Sequence, residues 1–201
     1  HMILNQSKEY KLKFKSSGTT IQKRSCHYIT DPNLYETSFL KSYQQFIGDP
    51  SDQIILALLP NYLEQGDSSL VYMAKELIKK SNHQLSEFVL GNTSKIIDVY
   101  QKLPQNKTLV IIGVSYALLD LAKSNVDLKN AVVIETGGMK GTREELTKEE
   151  LHIKLKIGLN TNHIKILIYQ LIRITLLPSK MMEEEYQLTC TKVKRCLLQR
   201  L

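Results

Sequence analysis

Cysteine is scarce: Cys26, Cys190 and Cys196 are the only three in 201 residues, and no two are spaced C-x-x-C. An odd count without paired spacing favours reduced thiols and argues against a disulfide framework or a structural zinc site. His83, His152 and His163 form no H-x-x-x-H or other compact ligand spacing, so no metal ligand is assigned. No G-x-S-x-G elbow is present, which leaves Ser-His-Asp hydrolysis without local support. No long basic run accompanies the net charge of +7, because lysine and arginine are mixed with acidic residues. That pattern speaks against nucleic acid as a partner and suits a phosphate-bearing small molecule equally well. The longest oily run, Ile164–Pro178, is interrupted by Lys165 and Arg173 and is too short to span a bilayer comfortably. With no signal peptide visible, a soluble, cytoplasmic protein without a membrane span is expected. His1-Met2 reads as the remnant of an expression tag, so the natural chain is expected to begin near Ile3.

What is present is enough apolar matter for a core, 42% of the residues, at a length that suits one substantial α/β domain or that domain plus an appendage. Leu12 and Phe14 alternate with lysines as in an edge or half-buried strand. Tyr35, Phe39, Tyr43 and Phe46 share a helical face that Gly48-Asp49-Pro50 should stop. Ile54–Leu59 is an unbroken apolar run ended by Pro60, which fits a central strand covered on both faces. Asn61–Asp67 follows as a polar loop, and Asp67 or Ser68 can cap a helix with Leu70, Val71, Ala74, Leu77 and Ile78 as its stripe. Further strands are expected at Phe88–Leu90, Thr108–Val114 and Ala131–Ile134, and further helices near Thr93–Leu103 and Tyr116–Lys123. Thr147 and Glu150 form a capping box for a last helix that Gly158 is expected to terminate. Strands alternating with helices at this spacing predict a mostly parallel, three-layer α/β/α domain over residues 3–163, with 164–201 an atypical continuation. Ligands of such domains collect beyond the carboxyl ends of the strands. No internal repeat or low-complexity linker interrupts the order.

Two loops are candidates for a site. Lys15-Ser16-Ser17-Gly18-Thr19-Thr20 offers hydroxyls, amides and a glycine that permits close approach, a combination able to wrap an anion. The same residues also describe an ordinary turn, and no Gly-Lys-Ser/Thr follows to make a Walker A loop. In Glu135-Thr136-Gly137-Gly138-Met139-Lys140-Gly141, paired glycines after a buried strand let backbone approach a flat or charged ligand. Lys140 or Arg143 could neutralise a carboxylate or phosphate there, and a flexible loop is the plainer alternative. Lys23 and Arg24 could add charge to the first loop, although a solvated basic pair explains them too. His27 reads either as cleft-lining or as a surface histidine. Cys26 beside it makes a poor nucleophile–base dyad, because adjacent strand residues face opposite sides. Helix capping accounts for Asp67, and packing for Tyr62, Tyr72 and Tyr116.

Taken together, Ser16–Thr20, the run ILALLPNYLEQGDSSLVYMAKELI at Ile54–Ile78 and VVIETGGMKGTREELTKEEL at Val132–Leu151 resemble the adenylate-forming acyl-activating superfamily. The likeness is to the branch of acyl-protein synthetases from bacterial luminescence systems and phenylacetate–CoA ligase-like proteins. The resemblance implies part of that superfamily's large N-terminal domain, and a partial domain is expected. It implies ATP and magnesium as cofactors, a carboxylic acid activated to an acyl-adenylate, and transfer to coenzyme A or a protein thiol. By the same resemblance Ser16, Ser17, Gly18, Thr19 and Thr20 would bind phosphates, while Thr136, Gly137 and Gly138 would shape the nucleotide or acyl pocket. Ile21 stands where that family usually has glycine, and its Tyr-Gly-x-Thr-Glu signature does not follow Asn162-His163. The alternatives are a noncatalytic remnant or interaction module and a simple phosphate-ligand-binding domain. Apolar surface uncovered in a partial domain would favour a homodimer.

Overall fold

In the computed structural model the described residues are 9–15, 26–59, 67–89, 91–137, 146–161 and 163–166. The first two strands, β1 (Leu12–Lys15) and β2 (Cys26–Ile29), pair antiparallel as a small sheet of their own, with Leu12 opposite Ile29 and Lys15 opposite Cys26. Helix α1 (Pro32–Phe46) follows. The Asp31 carboxylate caps it by accepting from the Asn33 and Leu34 amides, and Pro32 sits in the first turn, where no amide is needed. Spacing of four buries Tyr35, Phe39 and Tyr43 on one side. The helix ends before Gly48, as its breaker segment predicts, and a 3-10 turn at Pro50–Asp52 leads on.

From there strands and helices alternate: β3 (Gln53–Leu58), α2 (Ser69–Ser81), β4 (Glu87–Phe88), α3 (Thr93–Gln101), β5 (Thr108–Gly113), α4 (Ser115–Ala122), β6 (Val132–Glu135), α5 (Lys148–Leu159) and β7 (Ile164–Ile166). The five strands from β3 to β7 form one parallel sheet in the order β4-β3-β5-β6-β7. The sheet therefore runs past residue 163 into β7.

Alternation along each strand divides the core in two. Ile54, Leu56, Leu109, Ile111 and Val133 face Ile96, Val99, Leu118, Leu155 and their neighbours on α3, α4 and α5. Ile55, Val110, Ile112 and Ile134 face the aromatic residues of α1 and the Met73 and Leu77 side of α2. Helices thus cover both faces of a parallel sheet, the expected three-layer α/β architecture, and each fully buried aliphatic or aromatic side chain contributes about 1.5–3 kcal/mol. The small sheet joins the aromatic side. Phe14 packs on both Tyr35 and Tyr72, with ring centroids 5.3 and 5.5 Å away.

The last helix corrects an expectation. Its capping box forms as predicted, with Thr147 and Glu150 exchanging hydrogen bonds. Gly158, however, does not end it. The helix runs to Leu159, and Asn160 closes it in the left-handed conformation at φ 45°. Gly158 serves helix packing instead: a Cβ there would lie 2.4 Å from the Ala122 carbonyl oxygen and 2.7 Å from the Ala122 Cβ. Only hydrogen in place of a side chain lets α5 approach α4 this closely.

Candidate functional site

Strand order decides where a crevice can open. The chain leaves β3 through α2 to β4, then returns by α3 to β5 on the other side of β3. Helices α2 and α4 consequently depart to opposite faces, and the connections part between the carboxyl ends of β3 and β5. Leu58 and Gly113 are the register partners there. In doubly wound sheets this switch point is where ligands sit.

One side of the switch point is built by α2 and β1. Leu70, Val71 and Ala74 pack on Ala57, Leu59 and Val114, which holds the start of α2 at the carboxyl end of the sheet. Of the two capping candidates Ser68 takes the role, its hydroxyl accepting from the Val71 amide at 3.4 Å. Asp67 instead secures β1: the Lys15 amide donates to the Asp67 carbonyl at 2.8 Å, and the Lys15 ammonium meets the Asp67 carboxylate at 2.6 Å. A half-exposed pair of this kind adds little stability, but its geometry fixes where β1 ends. The strand leading into the hydroxyl-rich loop therefore finishes at the start of α2. Ser16, Ser17, Gly18, Thr19 and Thr20 themselves lie outside the described residues, as do Lys23, Arg24, Gly138, Lys140 and Arg143.

The other side is built where β6 ends. Glu135 shares its face of the sheet with Val133, toward α4, and is only 5% exposed. Its Oε1 accepts two hydrogen bonds, one from the Ser115 hydroxyl in the first turn of α4 and one from the Gly137 amide at 2.6 Å. The Ser115 amide donates to the Gly137 carbonyl at 3.1 Å. The Thr136 amide and hydroxyl both donate to the Gly113 carbonyl, each at 3.0 Å. Gly137 adopts φ 73°, a conformation that favours glycine, and no described residue approaches within 4 Å of where its Cβ would stand. These bonds close the ends of β5 and β6 into one unit beside the α4 N-terminus.

Two of the expected pocket residues, Thr136 and Gly137, thus stand at the switch-point end of the sheet. The Thr136 hydroxyl proton is directed inward at Gly113, so this residue can border a pocket but has no proton to give a ligand. Ser115, which follows a strand, and Glu135, which opens the second candidate loop, complete the arrangement, although the sequence assigns neither a chemical role. Their signal is a lone acid closing a buried apolar strand and a hydroxyl opening the next helix, and only the sheet register joins them. Tyr116, next in α4, is held protonated above the ordinary phenol range by burial and then by the Asp120 carboxylate.

Elsewhere the candidates stay apart. Cys26 is exposed on β2 and His27 is half-buried on the same strand. Among the described residues no three His, Cys, Asp or Glu side chains gather as a metal cage. No described helix is long and apolar enough to cross a membrane. No protein-family model, curated protein or solved structure matches the chain.

Proposed function

We propose that this chain is an adenylate-forming module that activates a carboxylic acid with ATP and passes the acyl group to a thiol, of coenzyme A or of a protein. One observation supports this reading above the rest. Described residues next to or within two of the segments that carry the resemblance stand at the same end of the sheet: Lys15, which precedes Ser16–Thr20, is moored to Asp67, and Glu135, within Val132–Leu151, is bonded to Ser115. Between them lies the switch point of β3 and β5.

In this reading the hydroxyls and amides of Ser16–Thr20 hold the phosphates, and the Thr136–Gly138 turn borders the nucleotide or acyl group. A substrate carboxylate oxygen bonds to the α-phosphorus as the bond to pyrophosphate breaks. A thiolate sulfur then attacks the acyl carbon and AMP leaves. Donors fixed around the phosphates lower the cost of the charge that develops. Magnesium, if bound, would supply neutralisation of the phosphate charge, and no described residue is assigned as its ligand. Net charge +7 draws the polyanion toward the chain.

Carboxylate-dependent ATP–pyrophosphate exchange, measured with magnesium over a panel of aromatic and fatty acids, tests the proposal. Exchange with at least one acid is expected. Nucleotide binding without exchange would replace it by a phosphate-ligand-binding domain, and folded protein with neither would leave a noncatalytic interaction module.

A further inference from the structure

We infer that the outer face of α5 is a docking face for a second copy of this chain, which seats its own α5 there in the antiparallel direction. The inference does not depend on the proposed activity.

Helix α5 carries apolar residues on two opposite sides. Leu151, Leu155 and Leu159 are buried in the core shared with α3 and α4. Ile153 and Ile157, one turn apart, lie on the side away from that stripe. Ile153 is 57% exposed and Ile157 is 75% exposed, the two highest values among the exposed large apolar side chains of the described residues. Isoleucine supports an exposed helix less well than lysine or glutamate, because its branched β-carbon loses rotamer freedom. Two of them side by side weaken α5 unless another surface packs on them.

Charge identifies that surface. Along one flank of the isoleucine pair stand Glu149 and then Lys156, and along the other Glu150 and then Lys154. On both flanks the acid is nearer the amino end of the helix and the base nearer its carboxyl end. A two-fold axis brings like flanks together and reverses their direction. With the axis near Ile153, Glu149 comes opposite the partner's Lys156, and Glu150 opposite the partner's Lys154. Glu150 already accepts from Thr147 in the capping box, so the Glu149 pair sets most of the register. A parallel neighbour would instead set like charges together. An anionic membrane suits the face poorly, since two carboxylates border the isoleucines. Self-complementarity of this kind belongs to a symmetric pair rather than to an unrelated segment. One helix face is smaller than the roughly 1,200–2,000 Å² of a stable interface, so the association is weak.

Sedimentation of the full chain from about 1 μM to about 300 μM tests the inference, and a concentration-dependent monomer–dimer equilibrium is expected. Ile157→Lys removes no core contact and should weaken the dimer roughly ten-fold or more. Lys156→Glu should weaken it roughly five-fold. Adding Glu149→Lys to Lys156→Glu should restore it to within about two-fold of the unaltered chain. Thermal midpoints check that each variant folds. Recovery in the double variant is a result that a partner of different sequence would not give. A chain that stays monomeric at every concentration overturns the inference, and so does a dimer indifferent to these variants. Weakening by Lys156→Glu without recovery overturns the antiparallel pairing. A monomer that binds vesicles of phosphatidylserine and phosphatidylcholine through Ile157 assigns the face to a membrane and overturns it as well.

Discussion

The two ends of the parallel sheet treat buried polar groups differently. At the amino end, the Tyr43 hydroxyl donates to Gln53 Oε1 at 2.6 Å, and the Gln53 amide reaches the Ile47 carbonyl. Ser81 donates to Ser86, whose hydroxyl accepts from the Ile55 amide at 2.9 Å. Each of these contacts is internal and ties a helix or loop to β3. At the carboxyl end, by contrast, Glu135 receives two donors on one oxygen and none from a described residue on the other. Gly137 there has no described neighbour within 4 Å of a would-be Cβ, whereas Gly158, near the amino end, is pressed against backbone. The amino-end contacts named here are closed internally, whereas Glu135 at the carboxyl end has one oxygen without a described donor.

The largest effect should come from filling the tight amino-end contact. Gly158→Val places branched carbons onto the Ala122 carbonyl, which cannot move without shifting α4. A loss of about 3 kcal/mol or more is expected from urea unfolding, at the upper end of overpacking costs. An unchanged midpoint would show that α4 and α5 are not held at this separation.

Tyr43→Phe should have the next largest effect. It leaves Gln53 Oε1 without its buried donor, at a cost of about 1–3 kcal/mol. It also sharpens the alkaline behaviour of the fold. Burial raises the Tyr43 phenol far above its ordinary value, and burial together with the Glu36 carboxylate raises Tyr72. Both groups keep their protons in the folded chain after the unfolded chain has released them. Their contribution is therefore complete below about pH 10 and declines as pH rises beyond it. Urea midpoints from about pH 8 to about pH 11 should fall less steeply in the Tyr43 variant than in the unaltered chain; parallel curves would contradict this.

The smallest expected effect is at the carboxyl end. Gly137→Ala meets no described neighbour but must hold a left-handed backbone, which costs roughly 1–2 kcal/mol. Gly137→Asn should recover part of that loss, since asparagine tolerates the conformation better. If alanine proves as damaging as valine at 158, the distinction drawn between the two ends is wrong.

Much of the architecture can be read along the chain, because β3, β5 and β6 are continuous apolar runs bounded by polar turns. Spacing of three and four residues locates α1 and α2, and local chemistry alone dictates the Thr147 capping box. What escapes such reading depends on distant partners. Gly158 resembles a helix terminator until Ala122, far away in sequence, is seen beside it. Glu135 and Ser115 are twenty residues apart, and nothing short-range announces that β5 and β6 are neighbours. Strand order, which creates the switch point, has no local signature. The pairing of β1 with β2 rather than with the main sheet likewise depends on the aromatic cluster around Phe14.

The stitching of Ser115 to Gly137 and Thr136 to Gly113 bears on how the segment after Gly137 can vary. Both ends of the knot lie upstream of that segment, so insertions or deletions beyond Gly137 need not be transmitted to β5 or α4. Lengthening a loop adds only a logarithmic closure cost. A chain with this fold can therefore exchange the reach and composition of that segment while its sheet and crevice keep their shape.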